Sequence, residues 1–190
     1  SDVCSSDLLD KRMDKKHIKE LDKRARKATR LNSIISGVEG GVLGAFGIGL
    51  PDIPLFISLI LKNIYQIALS YGYSYDKEEE KAYILLLISA TLADGDMKVK
   101  LNAKLDVLGQ DIDKGNNIDV DLDKKIKTTS KLLTDSLLAA KFIQGIPILG
   151  AMGAMVNFNI LRKVGKYSSL KYKKRFLLKK ARNIIRDISL

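Results

Sequence analysis

Apolar residues along this chain recur at three- and four-residue spacing in almost every segment. Ile18, Leu21, Ala25 and Ala28, followed by Leu31, Ile34, Ile35 and Val38, fall on one face of a helix that begins near Asp10. Its opposite face is basic. The run from Ser36 to Pro51 then carries glycines at 37, 40, 41, 44, 47 and 49 with Glu39 as its one charge. Glycine costs a helix about 1 kcal/mol relative to alanine, so these glycines predict close backbone approach. Gly40, Gly44 and Gly47 form the packing motif. In Pro51-Asp52-Ile53-Pro54, Asp52 can cap a new helix, and Pro54 sits in its first turn, where no amide hydrogen is needed. That helix, Ile53 to about Gly72, is apolar on most sides and is expected to be central.

Asp76 followed by Lys77, Glu78, Glu79 and Glu80 reads as a capping box opening a helix whose stretch from Ala82 to Ala93 has no charge. Asp94-Gly95-Asp96 breaks it. Met97 to Leu108 predicts a shorter amphipathic helix with Leu101, Leu105 and Leu108 inward. Gly109 to Asp123 is rich in Asp, Asn and Gly and reads as a loop. A further helix spans about Leu122 to Ala140 and buries Ile126, Leu132, Leu133, Leu137 and Ala140. Gly145-Ile146-Pro147 interrupts the chain before a second small-residue segment, Leu149 to Leu161, with Gly150 and Gly153. The last helix runs from about Ser168 to Ser189. No sustained period-2 alternation with hairpin turns occurs, so the pattern predicts an all-α fold: one compact domain of about six to eight helices, with Gly-rich apolar helices at its centre.

Charge changes this picture by its placement. The 190 residues hold 33 Lys plus Arg against 22 Asp plus Glu, +11 in all. Residues 1–8, SDVCSSDL, read as the translation of a sequencing-library adapter. They set aside Asp2, Asp7 and the single cysteine, and they raise the excess to +13 over a domain spanning 9–190 that is expected to be truncated at its N-terminus. Residues 10–30 carry +6 and residues 162–190 carry +10, while the body between them is slightly acidic at −3. Basic ends on an acidic body point to an anionic partner.

Three stretches carry a resemblance: GVLGAFGIGLPDIPLFISLILKNIYQIALSYG from Gly41, GDMKVKLNAKLDVL from Gly95, and IPILGAMGAMVNFNIL with YKKRFL from Ile146 to Leu177. In this order and spacing the chain resembles the EcsC family. The resemblance implies an all-helical bacterial domain without assigned catalytic residues. It also implies a membrane-related context, because the protein that names the family is encoded beside an ABC transporter.

Candidate sites follow from the charge pattern. In the last helix Leu170, Leu177, Ala181, Ile184 and Ile188 form one stripe. Lys171, Lys173, Lys174, Arg175, Lys179, Lys180, Arg182 and Arg186 cover the rest, and Lys23, Arg24 and Lys27 add to the first basic block. This is the pattern of a helix lying in a membrane interface; a core-docked surface helix is the ordinary alternative. Phe142 to Leu161 has no charge over twenty residues, a length that could cross a bilayer. Gln144, Asn157, Asn159 and the Gly-Ile-Pro break favour a buried hairpin instead.

Nucleic acid is disfavoured, since no zinc spacing, stacking motif or helix-turn-helix is found. His17 alone supplies no metal set, no nucleophile has a base, and GAFGIG follows no strand. Asp111, Asp113, Asp119, Asp121 and Asp123 lack the glycine and the terminal glutamate of a calcium loop and read as a solvated loop with helix caps. Glu39 is the acid without a capping role. The expected protein is non-enzymatic, without metal, cofactor or identified small-molecule substrate. It would sit at the cytoplasmic face of a membrane, against anionic lipid or a membrane protein, with insertion as a variant. A soluble helical scaffold is the alternative.

Overall fold

The computed structural model describes residues 15–30, 53–119, 121–144 and 151–188, with the backbone alone at 53–55, 134, 136–144 and 151–158. The described residues form six helices and no strand. They are α1 (15–30), α2 (Ile53–Ser70), α3 (Glu78–Leu92), α4 (Gly95–Lys114), α5 (Leu122–Gln144) and α6 (Ala151–Ile188). The fold is all-α, as the periodicity predicts. Glu39, Gly40, Gly44, Gly47, Pro51, Asp52 and Gly150 lie outside the described residues. Pro54 stands in the first turn of α2 and Gly153 near the start of α6.

α6 is the spine. α2, α3 and α4 all pack on it, and α5 packs on α3. α1 lies antiparallel to α6, as the pairs Thr29 with Gly165, Asp22 with Lys173 and His17 with Phe176 show. The core is filled by Phe56, Ile60, Ile64 and Ile67 of α2, Tyr83, Ile84 and Leu87 of α3, Leu105 of α4, and Leu161, Val164 and Tyr172 of α6.

Five expectations change. First, α2 is not the central helix: Ile57 and Leu69 face outward, and its buried positions follow a single 3.6-residue stripe. α3 is the one enclosed on most sides, with Ala82, Tyr83, Ile84 and every residue from Leu87 to Leu92 buried. Its Ser89 and Thr91 hydroxyls are satisfied by the carbonyls of Leu85 and Leu87, so they cost little there. Second, Asp76 does not cap α3. It accepts from Ser74 in the preceding turn, and Lys77 stands at the N-cap without a side-chain bond.

Third, the stretch read as a loop from Gly109 is helical to Lys114, where Gly115 in the left-handed region ends α4. Gly109 is kept for space: a Cβ there would lie 2.9 Å from the Tyr83 ring and 3.0 Å from Arg175 Cδ. Asp121 is indeed a cap, accepting from the Lys124 amide at the start of α5. Fourth, Ile126 is exposed. Thr129 takes the inward position and shares a 2.9 Å hydrogen bond with Ser89 of α3. Fifth, the two last helices are one: α6 runs through Gly165 without a break, 38 residues long.

Of the charge-free stretch 142–161, residues 142–144 end α5 and residues 151–161 begin α6. Among the described residues, no helix is long and apolar enough to cross a membrane.

Candidate functional site: the two faces of the last helix

From Leu161 to Arg182, α6 turns one side to the body and another to the outside, and its charges are not where an amphipathic helix puts them. Facing inward are Val164, Ser168, Lys171, Tyr172 and Arg175, all buried. Facing outward are Leu170, Leu177, Ala181, Ile184 and Ile188. Leu170 is 62% exposed, Ile184 48% and Ile188 80%. The apolar stripe is therefore not docked on the core. The opposite side is, with Lys171 and Arg175 set among Leu161, Val164 and Tyr172.

The inward charges are matched one by one. Arg175 donates Nη1 and Nη2 to Glu80 of α3 at 2.9 and 2.7 Å, and Nε and Nη2 to Asp113 of α4 at 3.2 and 2.7 Å. Its guanidinium lies over the rings of Tyr73 and Tyr83, at 4.3 and 4.4 Å from their centroids. A planar fork with five donors and a stacking face suits this site, and a lysine does not. Burial would lower the Arg175 pKa, but the two carboxylates raise it further, so it stays charged. Asp106 accepts from Lys171 at 2.7 Å and Lys174 at 2.8 Å. Burial alone would raise the Asp106 carboxyl, yet these two bonds hold it below its ordinary value. Asn102 accepts from the Tyr167 hydroxyl, which completes a ladder in which Asn102, Asp106 and Asp113 of α4 meet successive turns of α6.

A second acid, Asp22 of α1, closes the other side. Its two oxygens accept from Lys173 and from the Tyr71 hydroxyl. Burial would raise this carboxyl too, and the same two bonds prevail and lower it. Below it, α1 and α6 touch at Thr29 and Gly165, where a Cβ would run into the Thr29 side chain and, at 2.8 Å, the Asn63 amide.

Of the residues singled out from the sequence, Lys171 and Arg175 are corrected: they are buried ion-pair members and present nothing to a surface. Lys173 is half-buried against Asp22, and Arg182 is half-buried beside Asp113. Lys174, Lys179 and Arg186 remain exposed, Lys180 is half-exposed, and Lys23, Arg24 and Lys27 lie on the outer side of α1. Asp113 is likewise corrected, from a solvated loop residue to a buried clamp. The sequence reading missed Glu80, Asp22 and the tyrosines around Arg175. The spacing of Asn102, Asp106, Gly109 and Asp113 was the available signal, a helical face carrying acids and one glycine. Among the described residues, no group of three His, Cys, Asp or Glu side chains could hold a metal ion.

These features define an all-helical domain organised on a charged central helix with an apolar outer edge. Over residues 5–177 the chain matches the model of the EcsC protein family, and it belongs to that family. It is similar to the "Uncharacterized protein YdbA" of Bacillus subtilis (strain 168), at 27% identity over 158 residues, which covers 81% of this chain and 56% of that protein. The chain thus spans little more than half the length of the curated relative it matches. No solved structure matches it significantly.

Proposed function

We propose that this chain is a non-enzymatic accessory domain that lies on an anionic membrane surface, at the cytoplasmic leaflet, through the outer face of α6. The observation that carries the reading is the exposure of the apolar stripe. Leu170, Leu177, Ile184 and Ile188, with Leu178 and Ile185 beside them, face solvent on a helix whose buried cations Lys171 and Arg175 are ion-paired on the inward side. An aliphatic side chain fully removed from water contributes about 1.5–3 kcal/mol, so even partial insertion of these six supports binding. Lys163, Lys166 and Lys174 are exposed around them, Lys174 with a bond back to Asp106. Each basic residue near anionic lipid adds about 1 kcal/mol. Such a stripe edged by cations complements a leaflet, with its anionic headgroups over hydrocarbon, better than it complements a purely polar protein surface.

Flotation with vesicles tests this. The protein is expected to float with phosphatidylglycerol-containing vesicles at low salt and to stay behind with pure phosphatidylcholine. Retention in the soluble fraction with both would leave the scaffold reading in its place.

A further inference from the structure

Between α1 and α6, at the level of the Asp22 bonds, lies a cavity of about 650 Å³. Its walls carry Arg26 and Arg30 from α1 and Arg162, Lys166 and Lys173 from α6, with Asp22 as the one acid among the described lining residues. Asp22 engages Lys173 and Tyr71 with its two oxygens and its charge also reaches Arg26, which leaves four of the five cations without a hydrogen-bonded acid among the described residues. Arg26, Arg30, Arg162 and Lys166 have no carboxylate within ion-pair distance among the described residues. Packing does not ask for this. Like charges four apart on a helix repel, here on both helices at once, and the crossing itself is secured by Gly165 on Thr29. Four cations with no ion-pair partner among the described residues line one concavity together with Ser169, and such a set of donors suits a multiply charged oxyanion. Leu170 also lines the cavity and begins the exposed apolar stripe, so the site has an anionic end and an apolar exit.

We propose that this cavity binds the phosphate of an anionic phospholipid headgroup, with Arg26, Arg30, Arg162 and Lys166 as its ligands and the proximal acyl chain leaving over Leu170. The inference rests on the membrane reading for the source of the phosphate, and its chemistry stands on the cavity alone. Isothermal titration of the full chain with monomeric dihexanoyl phosphatidate tests it.

Saturable one-to-one binding is expected. Arg162→Gln with Lys166→Gln should weaken it roughly tenfold or more, the scale of losing two charge-assisted contacts. Arg26→Gln with Arg30→Gln should do the same from the opposite wall. Lys124→Gln with Lys127→Gln, the same charge change on α5, should alter it by no more than about twofold through the long-range field. Leu170→Ala should weaken phosphatidate and leave inorganic phosphate unchanged. Absence of saturable binding, or equal losses in the control pair, would overturn the site. Inorganic phosphate binding as tightly as phosphatidate would overturn the lipid as its occupant. Should the wild type bind phosphatidate yet fail to float with vesicles, the surface reading falls and the cavity stands; flotation without phosphatidate binding has the reverse meaning.

Discussion

The inner and outer faces of α6 invert the usual arrangement of a surface helix. Inward, Lys171 and Arg175 are about as buried as a core leucine; outward, leucines and isoleucines face water. The difference lies in what the neighbouring helices supply. α3 and α4 present Glu80, Asp106 and Asp113, which offset the desolvation of each inward cation with short hydrogen bonds. Nothing among the described residues covers the outer aliphatic positions. Charge is therefore no guide to exposure on this helix. An interior of ion pairs demands exact partners, whereas an exterior of aliphatics demands none for folding.

The largest effect should come from breaking the inner face. Arg175→Ala leaves two buried carboxylates unpaired and should cost about 3–5 kcal/mol, read as a lower urea midpoint. Arg175→Lys should recover only part of that, because an ammonium cannot reach both carboxylates and stack on two rings. Next come the glycines that let helices approach that face. Gly109→Ala and Gly165→Ala each gain helix propensity of about 1 kcal/mol. The added methyl nevertheless overpacks against Tyr83 and Arg175, or against Thr29 and Asn63, at a cost of about 1–3 kcal/mol, so each should destabilise by up to about 2 kcal/mol net.

Acid should have a smaller effect. Asp22 and Asp106 have folded pKa values below their unfolded ones, so their stabilisation is complete above the ordinary carboxylate range. It is lost as pH falls below about 4 and protons enter in the unfolded state first. Asp106→Asn should flatten this part of the pH–stability curve, measured by thermal melts between neutral and acidic buffer. The outer face should show the smallest change in stability. Ile184→Glu with Ile188→Glu is expected within about 0.5 kcal/mol of wild type while abolishing vesicle flotation. A large loss of stability in that double variant would mean that the stripe is held by the fold and that the two faces do not differ as described.

Much of the fold was legible because it follows from periodicity. Leu21 and Ala25 of α1, Leu101 and Leu105 of α4 and Leu133 of α5 are buried where their spacing puts them. The charge-free run of α3 is enclosed because a helix apolar all round has no side to give to water. The site was far less legible. Leu170, Leu177, Ile184 and Ile188 were recognised as one stripe, yet its direction could not be read, since a lysine and a leucine three residues apart do not say which of them finds a partner. Gly109 and the aspartates after it have the composition of a loop. Gly109, Asp111 and Asp113 are nevertheless helical, where Asp113 is held by Arg175, 62 residues further on.

Sequence by itself determined the helical class, most element positions, the two basic ends and the family resemblance, all of which rest on local spacing and short motifs. Tertiary structure alone decided that the cations of α6 divide into buried and exposed sets, and that Arg26, Arg30, Arg162 and Lys166 line one cavity. Ion pairing and cavity formation depend on which side chains distant parts of the chain bring within a few ångströms, and no local pattern records that.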